Sequence, residues 1–421
     1  MALNLLVLGN GFDLLCGLGS SYEGFLNSDS YSSIRTELEQ VDARIEEVIK
    51  HILAEDSAFV FGGCKVFDEN TKLGFWDLFF AFPYYYGLKS SGRNWMDFEA
   101  RIKSIVEDIN DEKGDFASLR RLGNESVPRK MWVTQDEGRF MLILFYYIEF
   151  MLPGVLEKRF LEKNEKTKLL RILYLDLKKF EHRFGIFIDA RQKESLVYMH
   201  NAEELACRMT QMIEEDPISN PVYYIDTFNY SDIDCLKNLS EDIWHINGDW
   251  ESPIFGVDFP KTEFVDDEKF RFTKTFRRLE LEGKQYYFPQ KRRIQNVVVC
   301  GHSLNEQDYN YFFALFNQMG VGSDSDILKE ESIVFTYYAH GDVSASEAKQ
   351  KTLINVLKLF KAYNSEVLGR GDFRLMDILH CSGFMRVEEL SVDGLSKASP
   401  IGTTGGKWKK QSPDKAEENI R

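Results

Sequence analysis

The chain has 421 residues, of which 43% are hydrophobic, 14% aromatic and 28% charged. That apolar mass excludes wholesale disorder and any collagen-like or low-complexity architecture, and at roughly 100–200 residues per domain the length accommodates two or three folding units. Lys and Arg number 52 against 67 Asp and Glu, a net charge of −15, which repels nucleic acid and anionic membranes at long range but leaves room for a local basic patch that binds phosphates.

Six cysteines (Cys16, Cys64, Cys207, Cys235, Cys300 and Cys381) never approach CxxC spacing. Neither a zinc ribbon nor a disulfide framework is expected, and scattered thiols suit a reducing cytoplasm. The longest apolar run, Phe140 to Ile148, has nine residues, short of the ~20 that a spanning helix needs. No Lys or Arg precedes the N-terminal apolar stretch, and Asn10 and Asp13 interrupt it, so it does not read as a signal peptide. The expectation is a cytoplasmic protein with no membrane partner.

In chain order, Leu5 to Leu8 is a continuous apolar run ending at Gly9, the signature of a strand buried on both faces of a parallel sheet. A turn follows, and a helix is expected to begin near Asp13. Between residues 30 and 216 the text turns helical, with periodic apolar spacing over Arg35–Leu53, Trp95–Ile109, Phe140–Leu152 and Lys166–Phe187. Within it, Gly74–Leu88 (GFWDLFFAFPYYYGL) holds much of the aromatic surplus and is interrupted by Pro83, which argues against one unbroken helix. Strand-like text returns at Pro221–Asp226, Trp244–Ile246, Pro253–Phe255, Asn296–Cys300 and Ser332–Tyr338. A helix over Asp308–Gln318 between the last two predicts a βαβ unit. The tail from Ser396 to Arg421 is rich in Ser, Pro, Gly, Thr and Lys and is expected to be disordered. These elements predict an α/β fold: a Rossmann-like, mostly parallel sheet from residues 1–29 and 217–395, a helical insertion over 30–216, and a tail over 396–421.

Several polar segments border these strands. In Gly9-Asn10-Gly11-Phe12-Asp13 the glycines let backbone approach a ligand, and amides at a helix start attract phosphate. Leu14 stands where the third glycine of the dinucleotide fingerprint belongs, so a plain structural turn is an equal reading. Asp226-Thr227-Phe228-Asn229-Tyr230-Ser231 lies at a strand's carboxyl end, where doubly wound sheets bind ligands; the simpler reading makes Asn229 a helix N-cap. His245, within Trp244-His245-Ile246-Asn247-Gly248-Asp249, suits general-base chemistry by its near-neutral pKa, although a lone histidine is more often structural. Gly301-His302-Ser303-Leu304-Asn305-Glu306-Gln307-Asp308 follows the VVVC strand and is either a second phosphate- or ribose-contacting loop or a βα loop with Asp308 starting a helix. Trp95, Asp97 and Glu99 open a helix, where the carboxylates favour the dipole. The run Lys291-Arg292-Arg293 reads as solvated. His182, His200, His340 and His380 show no ligand-like spacing, and no metal is assigned.

Taken together, the strand running into GNGFD and CGLGSSYEGF, then NWMDFE, TFNYS, HINGD with FGVD, and VVVCGHSLNEQD, resemble the AbiH family of bacteriophage abortive-infection proteins. These motifs bracket positions 5 to 318. That family in turn looks like a remote relative of sirtuin-like NAD-consuming enzymes. The second resemblance implies that Gly9, Asn10, Gly11 and Phe12 hold NAD phosphates. It implies that Asn229 orients water or ribose, that His245 accepts a proton, and that Gly301, Ser303 and Asp308 meet the adenosine side. Asp13 would stabilise positive charge or bind a ribose hydroxyl. His245 is followed by Ile246-Asn247-Gly248 instead of a glycine, and the four-cysteine zinc module of deacetylases is absent. The implied activity is therefore hydrolysis of NAD to nicotinamide and ADP-ribose, halting growth of infected cells, rather than deacylation. Two other classes stand beside it: a non-catalytic nucleotide sensor or adaptor in phage defence, and, further off, a toxic RNase. The implied partners are a small-molecule nucleotide, an unnamed phage trigger and, if the aromatic stretch is exposed rather than core, a second copy of the chain.

Overall fold

The computed structural model describes residues 3–55, 64–85, 95–109, 115–123, 135–156, 158, 161–213, 222–257, 267–281, 288, 293–322, 331–371 and 374–396. The expected disorder beyond Ser396 and the basic run at 291–292 lie outside these residues. The chain divides into two compact units, one of residues 1–21 and 181–401, the other of residues 22–180 and 402–421.

The first unit is built on six strands: β1 (Leu3–Leu8), β2 (Val222–Thr227), β3 (Ser240–His245), β4 (Ile294–Cys300), β5 (Ser332–Tyr337) and β6 (Met385–Glu389). They form one sheet in the order β3-β2-β1-β4-β5-β6, and every pairing is parallel. The chain is thus α/β, with the strand order found in doubly wound nucleotide-binding sheets. Its helices include α1 (Asn10–Leu15), α2 (Tyr198–Gln211), α3 (Lys274–Glu280), α4 (Tyr309–Gln318), α5 (Ala345–Glu366) and α6 (Arg374–Cys381).

β1 explains the arrangement. All six of its residues are buried, and successive side chains point to opposite faces. Leu3, Leu5 and Val7 join a cluster with Phe312 and Phe316 of α4, Leu359 and Phe360 of α5 and Leu379 of α6. Leu6 and Leu8 join another with Tyr198, Leu205 and Met209 of α2. Each fully buried side chain of this size contributes ~1.5–3 kcal/mol, so a strand apolar on both faces is stable only with helices on both sides. The strand order reverses between β1 and β4, and the loops leaving these strands meet at that point.

The second unit carries the helices Ser32–Leu53, Trp95–Asp108, Asp115–Gly123 and Asp136–Met151 and residues 163–180 of the helix Lys163–Glu194. Ile34, Leu38, Val41, Ile45, Val48, Ile49 and Ile52 line one buried face of the first of these. The aromatic stretch is core as far as it is described: Phe75, Trp76, Phe79 and Phe80 are almost wholly buried. Asp77 is buried among them and accepts hydrogen bonds from the Tyr31 hydroxyl and the Gly74 N–H, each at 2.8 Å. The run is helical without being one α-helix. A π-turn over Asp77–Ala81 precedes Pro83, placing the wider turn where proline removes a ladder donor.

Two further expectations are corrected. Pro253–Phe255 is not a strand: the Ile254 N–H bonds the Asn247 carbonyl at 2.8 Å and the Phe255 N–H bonds Glu181 at 2.7 Å, so loop partners satisfy its backbone. The first helix begins at Asn10, three residues earlier than expected, with Gly9 as its N-cap.

Candidate active site at the strand carboxyl ends

Parallel strands bring the loops after β1, β2, β3 and β4 to one edge. The two glycine loops interlock there. The Gly9 N–H bonds the Cys300 carbonyl at 2.9 Å and the Gly11 N–H bonds the Gly301 carbonyl at 2.8 Å. A Cβ on Gly9 would stand 2.5 Å from the His302 Cα, and one on Gly301 would stand 2.2 Å from the Phe12 nitrogen. Gly301 also has φ +67°, a conformation that a side chain disfavours. The missing side chains thus let one loop pack on the other. Tyr338 closes the arrangement by donating to the Gly11 carbonyl at 3.2 Å.

Around this junction, the carboxyl end of β2 carries Asn229. Its N–H bonds the Thr227 hydroxyl at 3.0 Å, turning the chain back toward β1. Its Nδ2 donates to the Gly9 carbonyl and to Asp13 Oδ1, both at 3.1 Å. Asn229 is 3% exposed, and its Oδ1 has no hydrogen-bond partner among the described residues. An acceptor buried without a donor is costly, and such a group in a native fold calls for an explanation.

Asp13, on α1, is buried beneath Asn229. Tyr198 donates to its Oδ1 at 2.8 Å and Ser231 to its Oδ2 at 2.7 Å. Burial raises its pKa to about 7, against the lowering effect of those two hydroxyls. His245 ends β3, in register with Thr227, and is half-buried. Its Nδ1 lies 3.0 Å from the Asn229 carbonyl. A carbonyl only accepts, so Nδ1 carries the proton and Nε2 is left as the basic nitrogen.

A second cluster follows β4. Thr273 caps α3 by accepting from the Phe276 N–H at 3.1 Å, which sets Lys274 on the first turn. The buried Lys274 Nζ lies 2.6 Å from Asp308 Oδ1. Burial works to raise the Asp308 pKa, and the Lys274 ammonium, His302 and Arg278 together outweigh it, holding the carboxyl below its ordinary range. His302 Nε2 lies 3.6 Å from Asp308 Oδ2, and its Nδ1 accepts the Leu304 N–H at 2.9 Å. Burial depresses the His302 pKa to about 4, so the ring is neutral. Phe228 packs edge-on against that ring at 4.3 Å. Leu304 itself has φ +52°, local backbone strain that this loop retains. On the same helix Arg278 reaches the other way, to the Ile246 carbonyl at 2.9 Å and Asn247 Oδ1 at 3.1 Å.

The structure therefore joins Gly9, Gly11, Asp13, Asn229, His245 and Gly301. Phe12 turns its ring into the core with Leu6, Leu8 and Tyr198. Asn10 is exposed and accepts from Ser20 at 3.1 Å. Ser303 is exposed, and its carbonyl accepts from Asn355 at 3.1 Å. Asp308 is held by Lys274. Sequence reasoning missed Tyr198, Lys274 and Arg278, and left Ser231 and His302 without a role although both stood inside the candidate motifs.

The model of the family described as "Bacteriophage abortive infection AbiH" matches residues 5–325. The chain belongs to the AbiH family. AbiH membership assigns it a role in bacteriophage abortive infection, and the matched span contains Gly9, Gly11, Asp13, Asn229, His245 and Gly301, while Tyr338 lies beyond it. Neither the curated proteins nor the solved structures hold a match to this AbiH chain. Among the described residues no cluster of three or more His, Cys, Asp or Glu is arranged to hold a metal ion, and no helix is long and apolar enough to cross a membrane.

Proposed function

We propose that this AbiH chain acts in abortive infection by hydrolysing NAD at the strand carboxyl ends, in a sirtuin-like manner, releasing nicotinamide and ADP-ribose and halting growth of the infected cell. The observation that carries the reading is the buried, unpartnered Oδ1 of Asn229, a residue whose backbone carbonyl lies 3.0 Å from His245 Nδ1. Cleavage of the nicotinamide–ribose bond passes through an oxocarbenium-like state and needs a held ribose and a placed water. Asn229 Oδ1 receives a hydrogen bond from a ribose hydroxyl or the water, and His245 Nε2 takes the proton that the attacking water releases. The Gly9–Gly11 and Gly301 loops sit at the switch point, where a doubly wound sheet takes a dinucleotide.

The test is incubation of the purified protein with NAD and chromatography for nicotinamide and ADP-ribose. Nicotinamide release that falls at least about a hundredfold in Asn229→Ala and His245→Ala supports the reading. A tight NAD complex without release replaces it with a nucleotide sensor, and RNA loss on induction at constant NAD replaces it with an RNase.

A further inference from the structure

The orientation of the Asn229 carboxamide is itself determined by its surroundings. Both hydrogens of Nδ2 have acceptors, the Gly9 carbonyl and Asp13 Oδ1. Flipping the amide would press Oδ1 against that carbonyl and that carboxyl, two acceptor–acceptor contacts in a buried place. Asp13 enforces this choice, and it is in turn fully engaged. Tyr198 reaches one oxygen, Ser231 the other, and the two hydroxyl oxygens lie 2.8 Å apart. Asp13 and Asn229 are buried alike, at 2% and 3% exposure, but both oxygens of Asp13 are already engaged, whereas Asn229 Oδ1 has no partner among the described residues. These groups come from α1, α2 and the β2 loop, and they converge on one amide.

We propose that Asp13, supported by Ser231 and Tyr198, is a positioning residue that locks the Asn229 carboxamide with its Oδ1, never its Nδ2, toward the ligand. The inference rests on the strand edge being the NAD site, and it changes the role of Asp13 from direct contact with ribose or charge to action through Asn229. It also sets a specificity rule. The ligand must present a hydrogen-bond donor at this position, because an acceptor there would face a fixed acceptor.

Even a protonated Asp13 keeps the lock. A flipped amide would still set its oxygen against the Gly9 carbonyl, so Asn229 Nδ2 stays the donor, the carboxyl proton goes to the Ser231 or Tyr198 oxygen, and Oδ1 still accepts from Asn229. The same reasoning predicts that Asp13→Asn retains the lock, with its own amide oxygen toward Asn229 and its NH2 toward Ser231.

A double-mutant cycle and a ligand-free readout test the proposal. Asp13→Ala is expected to lower kcat/KM for nicotinamide release about tenfold to a hundredfold. Asp13→Asn should restore most of the loss. The double variant Asp13→Ala with Asn229→Ala should be no slower than Asn229→Ala alone, because coupled residues are not additive. In protein labelled with ¹⁵N-asparagine, the Asn229 carboxamide signal, assigned by its loss in Asn229→Ala, should exchange slowly in the wild type. It should exchange fast in Asp13→Ala and at an intermediate rate in Tyr198→Phe, a milder variant should the alanine substitution fail to fold. Multiplicative losses, or a carboxamide that stays protected in both variants, would overturn the positioning role. A wild-type protein that neither binds nor cleaves NAD would instead overturn the proposed function, and amide exchange would still decide the role of Asp13.

Discussion

Two histidines stand at the same sheet edge in opposite circumstances. At the β2–β3 end, His245 is half-buried, donates through Nδ1 and keeps Nε2 basic. At the β4 end, His302 is sealed against Phe228 and Phe312, accepts through Nδ1 and is held neutral by burial. The difference teaches that a histidine's role is set by which nitrogen the backbone engages and by access to water, neither of which a motif encodes. Under the proposed function, one end of the edge serves proton transfer. The other uses an imidazole, a carboxylate and an ammonium to fasten the loop after β4 to α3.

The substitutions that break this comparison most strongly are at its functional end. His245→Ala should lower nicotinamide release about 10²–10⁴-fold with little change in the melting temperature, read by initial rates and calorimetry. Lys274→Ala should do the reverse. It strands Asp308 as a buried charge and should cost about 3–5 kcal/mol in denaturant unfolding, while any rate loss tracks the folded fraction. If Lys274→Ala leaves stability unchanged, the β4 cluster is not the fastening assigned to it. A smaller effect sharpens the contrast at the glycine junction. Gly301→Ala meets both a positive φ and the Phe12 nitrogen at 2.2 Å, and should cost about 1–3 kcal/mol. Gly19→Ala, with nothing near the added methyl, should cost far less.

The parts of this edge that were legible in the sequence are those that a strand announces. Leu5–Leu8 and Asn296–Cys300 are continuous apolar runs, and the polar residues that follow them had to emerge at one edge once the strands were parallel. That logic reached Asp13, Asn229 and His245. It missed β6, because an edge strand alternates: Met385 is buried while Arg386 and Glu388 are half-exposed, and no continuous apolar run marks it. It gave Pro253–Phe255 to the sheet because apolar content alone does not reveal that Asn247 and Glu181 satisfy that backbone. Lys274 and Tyr198 were invisible for another reason. Each sits on a helix far from its partner, 34 residues for Lys274 and Asp308 and 185 for Tyr198 and Asp13, and a buried polar pair leaves no periodicity behind.

The smallest expected effect is one of pH, and it falls on His302. Burial lowers the His302 pKa from 6.5 to about 4. The unfolded chain therefore takes up this proton before the folded one does, so the stability tied to the neutral ring is present above pH 6.5 and lost as pH falls toward 4. Between pH 6.5 and 5.5 the loss amounts to about 1 kcal/mol. Asp13 and Asp226 run in the opposite sense. Burial raises them to about 7 and about 8, and their contribution is lost as pH rises. Absolute stability curves mix these trends, whereas the difference between wild type and His302→Asn isolates the histidine. The substituted amide oxygen can accept the Leu304 N–H in place of Nδ1, and it does not titrate. Denaturant unfolding at the two pH values should show the wild type losing about 1 kcal/mol more than His302→Asn. Parallel curves would mean that burial does not hold the His302 ring neutral, and the contrast between the two ends of the sheet edge would disappear.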